Sequence, residues 1–473
     1  MKTKNENAHV LEKNLKPSSI FAIAVGSIIG YACFVLPGDW LVQAGPMGIA
    51  IAFILGAISI SFIGKGYGFM IGEYPVAGGA FAFAYKGFGR NHAFICGWLL
   101  TLGYLSVVAL NATALPIIAR FVAPDLFMKG YLYTIAGWDV YLGEVLVSIF
   151  AILVFGVLNI KGSEIVGKIQ FVMVAALVGA VGLLGIGALT HNGLQPENLL
   201  PYFAPGKSPW SAILSILAIA PMAYVGFDTI PHAAEEFDFS PKLAYGLIIL
   251  AVSLGGLMYI IVSVSTAEVM PWLTLVEGDN VWATGTAIKM SMGSFGLFAL
   301  VTGVCMGICT GMNGFYMATS RLLLSMARAK VLPQGFEAIH STRKTPQNAI
   351  LFTMIACIIL PLFGRQAVAW VVDMCSVGTA VSFIYTCLTA VQIAKEKSVS
   401  LLEMFVLKVA TGFSVAFLLL LITPMSPAFM PFESWILLGI WSVLGVVFYL
   451  KQASVFRAVP KHTLDKLILN TTE

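Results

Sequence analysis

Charge is scarce in this sequence. Asp, Glu, Lys and Arg make up 11% of its 473 residues while apolar side chains make up 59%, against about 25% and roughly 45–50% in soluble globular proteins. A soluble fold of this length would lack the polar residues to cover itself, which excludes that class. Metal chemistry has equally little to work with. The seven cysteines (Cys33, Cys96, Cys305, Cys309, Cys357, Cys375, Cys387) all lie in apolar stretches, and only Cys305 and Cys309 stand four apart on one expected helix. Without histidine partners they read as packed thiols rather than ligands. A glycine-bracketed phosphate loop ending in Lys and Ser or Thr is missing, so ATP-driven work by this chain alone is excluded. There is no His-Glu-x-x-His or paired Asp within the apolar runs, as an intramembrane enzyme needs, and no repeated filter segment of the kind a channel carries. No cofactor and no nucleic-acid partner is expected.

What the sequence has instead is apolar runs near 20 residues long, the length at which a helix crosses a hydrocarbon core of about 30 Å. The chain therefore reads as an all-α integral membrane protein whose solvent is the lipid bilayer. Twelve spans are expected: 19–37, 46–64, 93–119, 141–159, 168–190, 210–230, 243–265, 294–320, 348–363, 368–392, 403–423 and 433–450. Residues 1–18 and 451–473 are read as tails, the former with Lys2, Lys4, Lys13 and Lys16 and no small-residue cleavage site, hence a retained tail rather than a signal peptide. With both tails on the cytoplasmic side of the cell membrane, only Arg120, Lys129, Lys207, Lys289 and Arg365 fall outside, and the other 22 of the 27 Lys and Arg fall inside. The positive-inside rule therefore sets the orientation.

Two spans are interrupted at mid-depth. Gly26-Ser27-Ile28-Ile29-Gly30 breaks the first, and Pro221-Met222-Ala223-Tyr224-Val225-Gly226-Phe227-Asp228 breaks the sixth. The breaks correspond if 19–190 and 210–392 are two five-span repeats, with 403–450 as two further spans. An odd number of spans per repeat inverts one copy relative to the other, the arrangement of secondary transporters that bind solute at such breaks. A homo-oligomer is compatible with the last two spans lying outside the repeats.

These same segments resemble the amino acid-polyamine-organocation superfamily of permeases. Gly26-Ser27-Ile28-Ile29-Gly30 is similar to the family's first-helix motif. Glu73-Tyr74-Pro75-Val76-Ala77-Gly78-Gly79-Ala80-Phe81 is similar to its loop between helices 2 and 3. Tyr224-Val225-Gly226-Phe227-Asp228, followed by Ala234-Glu235-Glu236, matches its sixth helix and exit. Ser320-Arg321, Met326-Ala327-Arg328, Leu332-Pro333 and Thr345-Pro346 match the loop after helix 8. The resemblance covers nearly the whole chain and implies a LeuT-like fold, five plus five inverted helices and two more, carrying a small amino acid by alternating access. Two departures stand out. Ala32 replaces a second glycine beside the bulky Tyr31, and 170–188 holds no ionisable residue where some members carry a lysine in place of sodium. The coupling ion, proton or sodium, stays open.

The expected binding residues follow from the breaks. N–H groups around Gly26, Ser27, Ile28, Ile29 and Gly30, at the positive end of a half-helix, suit a carboxylate. Carbonyls near Ile23, Ala24, Ala220 and Tyr224 suit an ammonium. Tyr224, Phe227 and Met222 are expected as gates or pocket walls, although aromatics at helical spacing are as often core. Small residues also occur in membrane helices for close packing alone. Asp228 is the clearest carboxylate at mid-depth and so a functional residue by default, with capping of the broken helix as the plainer reading. An amine or polyamine importer or exchanger of the same fold is the alternative, since Asp228 can face a substrate cation. His232 and 235–238 read as a hydrated charge cluster at the inner exit, and Asp373 as a solvated acid near the outer mouth.

The division of basic residues predicts that Ser341, introduced as a lone cysteine in a thiol-free background, is refractory to impermeant maleimide added to intact cells. Rapid labelling from outside would invert the topology.

Overall fold

The computed structural model describes residues 11–470 except 136, 192–194 and 279–281, so most of the N-terminal tail lies outside the described residues. Among the described residues, nine helices are long and apolar enough to cross a bilayer. They are Pro37–Glu73, Arg90–Val122, Leu142–Lys161, Ser163–Thr190, Pro241–Glu268, Ala283–Arg328, Val368–Glu396, Leu401–Ile422 and Phe432–Gln452. Pro209–Leu217 and Ala220–Glu236 form one further span bent by 43°, and the shorter apolar helices Pro17–Ile28 and Gln347–Phe363 stand where spans 1 and 9 are expected. The fold is all-α apart from one antiparallel hairpin among the described residues, Tyr131–Ile135 with Trp138–Tyr141, between spans 3 and 4. Arg120 fastens that hairpin: it pairs with Glu144, donates to the Asp139 carbonyl at 2.7 Å and lies over the Trp138 ring.

Several spans run past the ends expected from hydropathy, because charges that look terminal in sequence are paired in space. Span 2 continues to Glu73 through Lys65, whose ammonium meets Glu403 at 2.8 Å and the Tyr245 ring at 5.1 Å. Residues expected as loop also form the short helix Ala80–Phe88. Span 8 belongs to a helix from Ala283 to Arg328, bent at Gly293, so Arg321 and Arg328 sit on helix rather than in the following loop.

That extension places both arginines against the end of span 6. Arg321 Nε meets Glu236 Oε1 at 2.7 Å with both side chains essentially inaccessible (1% and 0% exposed), and Ser163 bonds to both partners. Arg328 meets Glu235 at 2.6 Å, and Glu235 also accepts from the Leu11 and Ala77 N–H groups. The backbone at Asn14 and Leu15 bonds to the Glu236 carbonyl, and Asp238 N–H returns to Leu15. The expectation of a hydrated cluster at His232, Glu235 and Glu236 is therefore corrected: all three are buried. A carboxylate can be buried there because a guanidinium meets it in a two-pronged geometry.

Span 5 packs on span 8, span 2 on span 7, and span 3 on spans 8 and 10; span 4 lies on span 3 as span 9 lies on span 8. Span 12 is peripheral, with 11% of its apolar window buried. It is held by Trp441, whose ring stacks on Trp98 of span 3 at 4.5 Å while each indole N–H donates to the other residue's carbonyl, at 3.0 and 3.1 Å.

Arg321→Met leaves Glu236 charged and unpaired, a change expected to cost about 3–5 kcal/mol. Arg321→Met with Glu236→Leu should recover most of that loss. Thermal unfolding of the detergent-solubilised variants checks both, and equal stability of the single and double variants would contradict the pairing argument.

Candidate functional site

The two interrupted spans meet backbone to backbone. Gly226 has φ +133, and a Cβ built on it would fall 2.4 Å from the Ser27 carbonyl carbon and 2.6 Å from Ile28 N. Only glycine tolerates both that conformation and that approach. Span 1 is helical through Ile28, turns at Ile29 and Gly30, and resumes as the short helix Ala32–Val35, so its break begins three residues later than the motif's first glycine. Span 6 stops at Ala223, turns through Tyr224 and Gly226, and continues as a tight helix from Phe227 to Glu236.

Carbonyls and N–H groups released by a break cost several kcal/mol each if left unpaired in hydrocarbon, and here side chains from neighbouring spans reach them. The Tyr259 hydroxyl of span 7 lies 3.0 Å from both the Ile28 and the Ala223 carbonyls, one from each break. Thr310 donates to the Gly26 carbonyl at 3.1 Å. Gln170 Nε2 reaches the Ala22 and Thr310 carbonyls at 3.4 and 3.1 Å, while its Oε1 accepts from Asn313, whose own Oδ1 accepts from Asn159. Asp228 Oδ1 accepts from Gly226 N–H at 2.8 Å and its Oδ2 from the Tyr104 hydroxyl at 2.6 Å; that hydroxyl also lies 3.2 Å from His232 Nε2.

Beside the meeting point lies a cavity of about 110 Å³. Ser27, Ile28, Gly30 and Met222 of the expected residues line it. Ile23, Ala24, Gly26, Ile29, Ala220, Tyr224, Phe227 and Asp228 do not. Tyr224 is buried against Phe53 and Tyr259 and donates to the Phe53 carbonyl at 2.7 Å, and Phe227 packs on Tyr67 and Phe383. The remaining walls are mainly apolar: Tyr31, Trp40, Leu110, Ile219 and Phe315 among them.

Two polar atoms stand out in those walls. Ser27 Oγ and Asn111 Oδ1 are buried, on residues 4% exposed, and have no hydrogen-bond partner among the described residues. Asn111 commits its Nδ2 to the Val107 carbonyl at 3.0 Å, which turns the oxygen toward Gly30. Gly314 of span 8 makes room for the serine: a Cβ there would lie 1.9 Å from Ser27 Oγ. Asn111 and Tyr259 were missed in the sequence, where each stands among other polar residues of its span, Thr101, Tyr104, Ser106 and Thr113 in one and Tyr245, Ser253, Ser263 and Ser265 in the other, so nothing local singled them out. A second cavity of about 200 Å³ shares Ile219, Met222, Val225 and Ser376 with the first. Asp373 lines it, partly buried and accepting from Ser434 at 3.1 Å rather than merely solvated.

A bundle of about twelve apolar helices, two of them broken where they meet beside a small cavity, is the architecture of a membrane transporter rather than an enzyme. The amino acid permease family profile matches residues 15–449, and the chain belongs to that family. It is 26% identical to the branched-chain amino acid permease BcaP of Lactococcus lactis over 382 residues (79% of this chain, 80% of that protein). It is also 26% identical to BcaP of Bacillus subtilis over 460 residues (93% and 92%), and 25% identical to the methylthioribose transporter of Bacillus subtilis over 467 residues (93% of each).

Gly226→Ala drives a methyl group into the backbone of the first break. Folded yield of this variant in detergent, read by size-exclusion chromatography, should fall sharply, whereas Gly412→Ala, with open space around it, should behave as the parent. Parent-like yield and stability of Gly226→Ala would refute the contact.

Proposed function

We propose that this amino acid permease carries a neutral amino acid with an apolar side chain, held in the cavity beside the first break. The observation that carries the reading is the pair of unpartnered atoms in an otherwise apolar pocket. The Ser27 hydroxyl can donate to a carboxylate, and the Asn111 carbonyl oxygen can accept from an ammonium. Leaving either unpaired costs about 1–3 kcal/mol, so a zwitterion that pairs with both recovers that cost on binding. The apolar walls suit an aliphatic side chain, as the name of the BcaP relatives also does. No carboxylate lines the cavity, which argues against a polyamine. Asp228, with both oxygens engaged, acts in this reading as the cap of the span 6 break.

The packing partners, which recur with an offset of five spans, support two inverted repeats at 19–190 and 210–392, with 403–450 added. The bias of basic residues supports cytoplasmic tails, 1–18 and 451–473, in the cell membrane. The carbonyls of Ala22, Gly26 and Thr310 already accept from protein side chains, so a sodium ion would have to displace Gln170 and the Thr310 hydroxyl to use them. Coupling therefore does not use sodium at this point, and uptake is expected to persist when choline replaces sodium.

Uptake of radiolabelled leucine into proteoliposomes tests the reading. Excess isoleucine, valine or methionine should compete, while arginine and putrescine should not. Asn111→Leu should raise KM about 10- to 100-fold, the loss of one hydrogen bond to a charged group, and Ser27→Phe or Gly30→Leu should abolish uptake while membrane insertion stays normal. Asp228→Asn keeps an acceptor for Gly226 N–H and should retain substantial uptake. Competition by putrescine, or unaltered transport in both Ser27→Phe and Gly30→Leu, would overturn the proposal.

A further inference from the structure

A cavity of about 810 Å³ lies at the end of the bundle where span 2 leaves and span 3 begins, apart from the transport cavity. Its walls come from two stretches. The link between spans 2 and 3 contributes Tyr74, Tyr85, Lys86 and Arg90, and the C-terminal helix Lys461–Leu469 contributes Lys461 and Asp465. Among the described residues three cations thus line the cavity with one carboxylate, of which one oxygen is engaged: Tyr85 donates to Asp465 Oδ1 at 2.8 Å. Arg90 Nη2 donates to the Val459 carbonyl at 3.1 Å, and Leu464, Ile468 and Leu469 are buried beneath the helix. The basic residues therefore stand on docked elements rather than on a loose tail.

The local electrostatics are unbalanced in one direction. Span 3 starts at Arg90 and the C-terminal helix at Lys461, and neither start has an acidic residue in its first turn or a side-chain cap. Each instead sets a cation where the helix dipole is already positive. The Lys86 ammonium lies 5.4 Å from the centre of the Tyr74 ring, held at the rim of the same space. An anion seated there would meet the lining side chains of Lys86, Arg90 and Lys461 near the positive starts of two helices, the complement that phosphate oxygens take.

We propose that this cavity binds a phosphate-bearing anion, which clamps the C-terminal helix onto the link between spans 2 and 3. The volume admits a lipid headgroup or a nucleotide as well as a bare phosphate, and the chemistry is common to all three. The site is independent of which solute the permease carries.

The test uses the full chain and the variant Lys86→Gln/Lys461→Gln, which changes two exposed side chains outside the transport cavity. Inorganic phosphate and adenosine triphosphate are added to purified protein. Phosphatidylcholine vesicles with and without phosphatidylglycerol supply the lipid arm. At least one probe should raise the apparent Tm of the parent by a few degrees and slow proteinase K release of a C-terminal tag several-fold, with both effects absent in the variant and weakened by added salt. A response to phosphatidylglycerol alone identifies a lipid headgroup as the ligand; a response to the soluble probes identifies a cytosolic phosphate compound. No response of the parent to any probe, or equal responses of parent and variant, would overturn the proposal.

Discussion

Every part of this permease is arranged around the cost of an unpaired backbone group in hydrocarbon. Two spans are broken where they touch, and side chains meet groups that the breaks release: the Tyr259 hydroxyl lies between the Ile28 and Ala223 carbonyls, Thr310 donates to the Gly26 carbonyl, and Asp228 accepts from Gly226 N–H two residues before it. Tyr259 and Thr310 come from spans 7 and 8, so they also tie those spans to the breaks. Ser27 and Asn111 line the cavity beside the breaks, and Ser27 Oγ and Asn111 Oδ1 have no partner among the described residues; in the function proposed above an incoming solute supplies one.

The same constraint shapes the end of the bundle below span 6. Glu235 and Glu236 are the last two residues of the tight helix, and each is paired with an arginine from the long span 8 helix. The N-terminal stretch at Asn14 and Leu15 is hydrogen-bonded onto the backbone at Glu236 and Asp238, so an extended segment seals the gap between spans. Opening this end requires separating one fully buried ion pair, one partly buried pair and that backbone seam together. A transition of this kind is cooperative: the ions have either each other or water, with little stability between.

Fold class and span number were legible because hydropathy over 20 residues is a collective signal that single substitutions do not blur. The breaks were legible for a related reason: Gly26, Gly30, Pro221 and Gly226 interrupt otherwise regular apolar runs. The position of the first break was shifted, because Gly26 serves close packing against Gln170 and Thr310 while the helix continues to Ile28. Pairing across the fold was hidden. Nothing local in Arg321 or Glu236 announces a partner 85 residues away, so charges destined for burial looked like solvated loop charges. Asp228 drew attention for its charge, yet the residues lining the cavity that carry an unpartnered buried atom are Ser27 and Asn111, with no charge at all. In a membrane interior an uncharged group without a partner is the subtler mark of a site, and it becomes visible only when hydrogen bonds can be counted.

The reciprocal indole clasp between Trp98 and Trp441 fixes more than the place of span 12. Helices in lipid gain no hydrophobic benefit from association and rotate about their own axes unless a directional contact stops them. Two N–H bonds exchanged across stacked rings permit one rotational setting, with Gly445 giving the Trp98 indole room to lie flat. The aliphatic row Ile436, Ile440, Val443 and Val447 is thereby locked outward. The surrounding acyl chains meet a constant contour on that flank, so the perimeter felt by the bilayer is set by a pair of partly buried aromatic rings between the helices.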